Sequence, residues 1–166
     1  TQGKLAVPGV IEDWYQILKL GHRITGVANS DSHGGNAEEA GYPRTYIRAR
    51  NDEPARLTPD ELVDSLRSMD VLMTNGPFIR VSVNGTPMGG LTRPDNGQVR
   101  VVGSVATAPW VRPSTLDIWV GGNKVRTLAI PRESRMFEFD ETVPVGGASD
   151  SFVTVEAHGG DNMFPV

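Results

Sequence analysis

The chain has 166 residues, enough to bury one substantial core or two small ones. Its formal net charge is −4 and its basic residues are scattered, so it carries no electrostatic footprint for nucleic acid. The absence of cysteine excludes disulfides and thiolate metal sites, and no apolar run approaches the ~20 residues of a membrane span.

No targeting segment is recognisable, and Thr1 rather than Met opens the sequence, which reads as a processed or excised piece. A soluble protein is expected, with cytoplasmic, periplasmic and secreted locations all open. Abundant glycine and proline between β-branched runs favour a strand-rich fold with many turns.

In chain order, Val10, Ile11, Trp14, Ile17 and Leu18 fall at helical spacing. Pro8 suits the entry of that helix and Gly21 the left-handed position beyond its end. Ile24–Ala28 reads as a short buried strand, and Thr45–Arg48 as another. Thr58-Pro-Asp-Glu61 is a capping box with proline at the first helical position. Leu62, Val63, Leu66 and Met69 form the apolar stripe of the helix that follows.

Beyond about Asn75 the pattern changes to strands. Ile79, Val81 and Val83 alternate with Arg80 and Ser82 before an Asn84-Gly85 turn, and Val99, Val101, Gly103 and Val105 continue the alternation. Leu116, Ile118 and Val120 run into Gly121-Gly-Asn123, and Val125–Ile130 returns, which makes the clearest hairpin. Phe137 and Phe139, then Val153 and Val155, supply two more strands. The expected architecture is α+β and strand-rich: a mixed unit over residues 1–75, then an antiparallel Ig-like β-sandwich over 76–166, itself expected to be clipped at its end, where Met163-Phe-Pro-Val166 gives no clear stop.

The chemistry concentrates in Asn29-Ser-Asp31-Ser-His33-Gly-Gly35, directly after an apolar run. In extended backbone, residues i and i+2 point the same way, so the Asp31 carboxylate and the His33 imidazole could meet one cation. Carboxylate oxygen and neutral imidazole suit Zn²⁺, Mn²⁺ or Fe²⁺ better than Ca²⁺. Turn chemistry at Asn29–Ser32 is the plainer alternative, because Asp-x-His alone is a weak motif. Arg44 could orient a substrate anion through its planar fork, or pair with Glu38 or Glu39.

His22 complements the first helix's C-terminus, and His158-Gly-Gly-Asp161 reads first as a polar turn after a strand and only second as a metal pair. Trp110 is expected to pack in a loop, while Trp119 lies opposite its strand's apolar face with its exposure undecided; both are candidate contacts for a carbohydrate or a partner protein. No nucleophile elbow, phosphate loop or cysteine nucleophile is present.

The stretch Trp14-Tyr-Gln-Ile-Leu-Lys-Leu-Gly-His-Arg-Ile-Thr-Gly-Val-Ala-Asn-Ser-Asp-Ser-His33 resembles the last metal-binding motif of PHP-type (polymerase and histidinol phosphatase) hydrolases, closest to the carbamate-ester branch. Gly41-Tyr-Pro-Arg-Thr-Tyr46 and Met73-Thr-Asn-Gly-Pro-Phe-Ile79, followed by a Val83-Asn-Gly85 turn, resemble segments downstream of it, so the likeness spans at least residues 12–90.

The resemblance implies a distorted (β/α)7 barrel with divalent ions at its strand ends, where metal-bound hydroxide attacks a phosphoester, ester or carbamate. Carried over by position, Asp31 and His33 match the two final ligands, with Arg44 or Asn29 as candidates for orienting substrate. The His-x-His that opens the family site is absent. The implied protein is the end of the barrel (its last strand and the following helix) with an appended sandwich. It would be inactive alone, weak in metal binding, and prone to homo-oligomerise through uncovered barrel faces. The alternatives are a non-catalytic sandwich that binds a ligand and a structural accessory domain that promotes oligomerisation.

Overall fold

Period-two alternation decides most of the structure. In β3 (Phe78–Val83) Ile79 is buried while Arg80 is exposed, and in β5 (Gln98–Ala106) Val99, Val101 and Val105 are buried. In β6 (Pro113–Val120) Leu116, Ile118 and Val120 turn inward, and in β8 (Met136–Pro144) Phe139 and Val143 do so. Val153, Val155 and Ala157 of β9 (Val153–Gly159) pack on the same cluster, as do Val125 and Leu128 of β7 (Asn123–Ala129).

A computed structural model describes residues 9–34, 41–146 and 150–159. It sorts these strands into two antiparallel sheets. One has the order β4–β3–β5–β8, where β4 is Thr86–Pro87, and the other the order β7–β6–β9. Their apolar faces meet in one core in which Val101, Leu116 and Ile118 have 0% exposure. The chain is thus strand-rich and antiparallel with few helices, in the α+β and β-sandwich class. Gly103 stands in the inward row of β5 opposite Phe139, and a Cβ there would come within 2.7 Å of the Phe139 ring.

The turns follow their sequence cues. Asn84 and Gly85 have φ of 49° and 77°, and Gly121 and Gly122 have 56° and 73°, so both hairpins use the left-handed region that Asn and Gly tolerate. The Arg126–Glu141 pair, 3.2 Å, links the edge strand of one sheet to the edge strand of the other.

Ahead of the sandwich, α1 (Val10–Lys19) ends as expected, with Gly21 at φ 85°. Pro8 and the proposed end near Met163 lie outside the described residues. In α2 (Pro59–Arg67) the Thr58 side chain accepts from the Glu61 N–H at 3.3 Å. The Glu61 carboxylate accepts from the Arg50 N–H instead of reaching back to Thr58, so the box forms by half.

Two expectations need correction. Met69 does not extend the α2 stripe: it has φ 62° beyond the helix end, and β2 (Val71–Thr74) follows, pairing antiparallel with β1 (Arg44–Ile47). Residues 24–28 are not a laddered strand. Their described backbone contacts are to side chains: Thr45 Oγ1 accepts from Ala28 N–H at 2.8 Å and donates to its carbonyl at 2.9 Å, and Trp14 Nε1 donates to the Ile24 carbonyl at 2.8 Å.

Candidate functional site

The loop after residue 28 is organised by Ser30. Its hydroxyl oxygen accepts from Ser32 Oγ at 3.0 Å and from the Gly41 N–H at 3.1 Å, closing 29–34 against the start of the β1 segment. Asp31 has φ 51°, a left-handed conformation that Asp adopts more readily than most residues. The extended geometry assumed for the Asp-x-His pair is therefore replaced by a turn.

Asn29, Asp31 and His33 are all exposed. His33 Nδ1 meets the Asp31 backbone carbonyl. A carbonyl only accepts, so Nδ1 is the donor, and Nε2 is the nitrogen through which a neutral ring so held would ligate a metal.

Arg44 is spent locally. Its Nη1 donates to the Gly41 carbonyl and its Nε to the Tyr46 hydroxyl, each at 3.0 Å, with the guanidinium carbon 5.5 Å from the Tyr46 ring centroid. Glu38 and Glu39 lie outside the described residues. Two protein donors are fewer than the three a catalytic zinc takes, and among the described residues no group of three or more His, Asp or Glu could hold a metal ion. The described residues thus do not complete a metal centre.

A second constellation was not legible as a unit. On the outer face of the three-stranded sheet, Asp117 and Trp119 of β6 lie between Lys124 and Thr127 of β7 and Thr154, Glu156 and His158 of β9. Thr127 Oγ1 donates to Asp117 Oδ1 at 2.5 Å, and Lys124 Nζ to Asp117 Oδ2 at 3.1 Å. His158 Nε2 sits 3.6 Å from Asp117 and 3.1 Å from Glu156.

Tyr15 of α1 closes the row. Its hydroxyl donates to Glu156 and lies 2.7 Å from Thr154 Oγ1, and its ring centroid is 5.4 Å from Phe152 and 6.1 Å from Trp119. Burial and the Glu156 hydrogen bond push the Tyr15 phenol well above its ordinary value, so it stays protonated. Burial raises Asp117, but hydrogen bonds from Thr127 and Lys124 and the charges of Lys124 and His158 outweigh it and hold the carboxyl below the ordinary range. The arrangement fastens α1 to the sandwich.

His158 therefore belongs to this network rather than to a terminal turn, and Asp161 lies outside the described residues. Trp119 is half-buried beneath Lys124, whereas Trp110 is 59% exposed, against the expectation that it packs. His22 is exposed just beyond α1, and its N–H donates to the Ile17 carbonyl at 3.3 Å. No helix of the described residues is long and apolar enough to cross a membrane. No family model, curated protein or solved structure matches the chain.

Proposed function

We propose that the chain carries the C-terminal part of a PHP-type metal-dependent hydrolase, with Asp31 and His33 giving two donors to a divalent cation. The observation that supports this most is the order of features across Trp14–His33. An amphipathic helix ends on a left-handed glycine, an apolar stretch follows, and an exposed Asp-x-His loop has its histidine Nδ1 on a backbone carbonyl. On this reading residues 24–28 are a barrel strand without its ladder neighbours, which accounts for Val27 at 54% and Ile24 at 48% exposure and favours self-association.

Zinc, manganese or iron suits the donors, and such a cation would lower the pKa of water and polarise a scissile ester, phosphoester or carbamate oxygen. The remaining donors must come from outside the described residues, and on this reading the chain is an incomplete piece of the enzyme, inactive by itself. On this reading the sandwich is an accessory unit of immunoglobulin type, which the order β3–β5–β8 against β7–β6–β9 supports by its likeness to the A–B–E and C′–C–F orders.

Elemental mass spectrometry and metal titration of the purified protein and His33→Ala test the reading. Weak divalent binding is expected, at least about tenfold weaker in the variant, a difference of about 1.4 kcal/mol. Binding that is absent from both, or tight and unaffected by the substitution, would sink it. The exposed Trp110 favours a second reading, in which the sandwich is a binding module. Glycan-array signal lost in Trp110→Ala would support that reading.

A further inference from the structure

At one end of the sandwich the β5–β6 loop and the β7–β8 loop lie side by side, joined by Thr107 N–H donating to the Arg135 carbonyl at 3.0 Å. Each is closed by its own turn, Val111 N–H to the Ala108 carbonyl at 3.0 Å and Ser134 N–H to the Pro131 carbonyl at 2.9 Å. Between them is a small, solvent-open indentation of about 10 Å³ whose lining residues include Arg112, Arg132 and Arg135, with Glu133 as the one carboxylate among them.

Three cations and one anion leave this rim at +2 (3 − 1), on a chain whose net charge is −4. Among the described residues no carboxylate lies within 4.0 Å of any of the three guanidiniums, although Arg48, Arg50, Arg56, Arg100 and Arg126 all have one. Arginines gathered around one concavity, on loops pinned by backbone hydrogen bonds, present planar donor forks without paying for loop closure on binding.

We propose that the rim of this indentation, on the paired β5–β6 and β7–β8 loops, binds a small oxyanion, the phosphate or carboxylate group of a soluble ligand. The guanidiniums supply charge-assisted hydrogen bonds, Thr107 offers a hydroxyl among the lining residues, and exposed Trp110 stands within the same loop as Arg112. The site is separate from Asp31 and His33 and does not depend on the hydrolase reading.

The test is an amide NMR titration of the intact chain with inorganic phosphate and, separately, with acetate, at constant ionic strength. Shifts confined to residues 107–112 and 131–135, saturating with a Kd of about 1–10 mM, are expected because the site is open to water. Shifts with phosphate alone identify a phosphate-type ligand, and shifts with acetate identify a carboxylate; either supports the site. Arg132→Gln and Arg112→Gln, on exposed loops, should each weaken binding at least about threefold. No localised shift with either anion up to about 50 mM, or shifts undiminished in both variants, would overturn the proposal.

Discussion

Tyr15 is the one buried residue of α1, at 6% exposure, and it carries that helix's described hydrogen bonds and ring contacts to the sandwich. Replacing it with alanine removes a ring set against Phe152, Trp119 and Trp14, together with the hydroxyl shared with Thr154 and Glu156. Buried aromatic-to-alanine changes cost about 3–5 kcal/mol, and because a surface helix can lift and let water in, the lower end applies, about 3 kcal/mol. In a chain of this length that corresponds to a fall in Tm of about 6–12 °C.

Tyr15→Phe removes only the hydroxyl. Glu156 keeps His158 at 3.1 Å and is 22% exposed, so it rehydrates, and the cost is about 1 kcal/mol. Denaturation followed by circular dichroism gives the global term, and amide exchange across Ile11–Lys19 gives the local one. Exchange there should quicken by about a hundredfold in Tyr15→Ala.

The phenol adds a pH arm. Its pKa in the folded chain lies above the ordinary 10.0, so its contribution is complete below about pH 10 and drains away as the pH rises through the folded value. Tyr15→Phe should lack that alkaline loss. Unchanged denaturation and unchanged α1 protection in Tyr15→Ala would refute the docking argument.

Asp117 gives the acid-side counterpart. Its folded pKa is depressed below 3.8, so its contribution is present above that value and is lost as pH falls through the folded pKa. Asp117→Asn should cost about 1–3 kcal/mol near neutrality and flatten the acid limb of stability, read from urea midpoints between about pH 3 and pH 7. Gly103→Ala places a Cβ 2.2 Å from the Arg80 carbonyl oxygen and 2.7 Å from Phe139, so β3 and β8 must both give way. It should lose about 1–3 kcal/mol in thermal melts, whereas Gly146→Ala, which meets nothing within 4 Å, should stay within about 0.5 kcal/mol of the parent.

The sandwich was legible because each strand buries one face, and alternation over β3, β5, β6 and β9 names that face residue by residue. The hairpin turns were legible because only Asn and Gly occupy their left-handed positions comfortably. β2 was not legible. Leu62, Leu66 and Met69 keep helical phase up to the residue at which φ becomes 62°, and the four residues of β2 are uniformly half-buried, with no alternation to mark a strand. Residues 24–28 show the opposite fault: an apolar run announces a strand, but pairing depends on a neighbour that no local pattern specifies.

Residue type made the Asp31–His33 pair legible, but not its geometry, because the left-handed turn at Asp31 leaves no trace in period or spacing. The outer-face network was illegible for a different reason. Thr154, Glu156 and His158 alternate outward from the core, and an outward polar row ordinarily faces solvent. The docking of a helix about 140 residues earlier half-buries Thr154 and Glu156 of that row, with Tyr15 hydrogen-bonded to both. This has a consequence for function. The Asp31–His33 loop continues from α1 through Gly21 and residues 24–28, and α1 is fastened to β6 and β9, so the sandwich fixes the base from which the candidate ligands project. A substitution such as Tyr15→Ala, which touches neither Asp31 nor His33, should therefore weaken divalent binding by loosening that base, and the metal titration used for His33→Ala reads the effect directly.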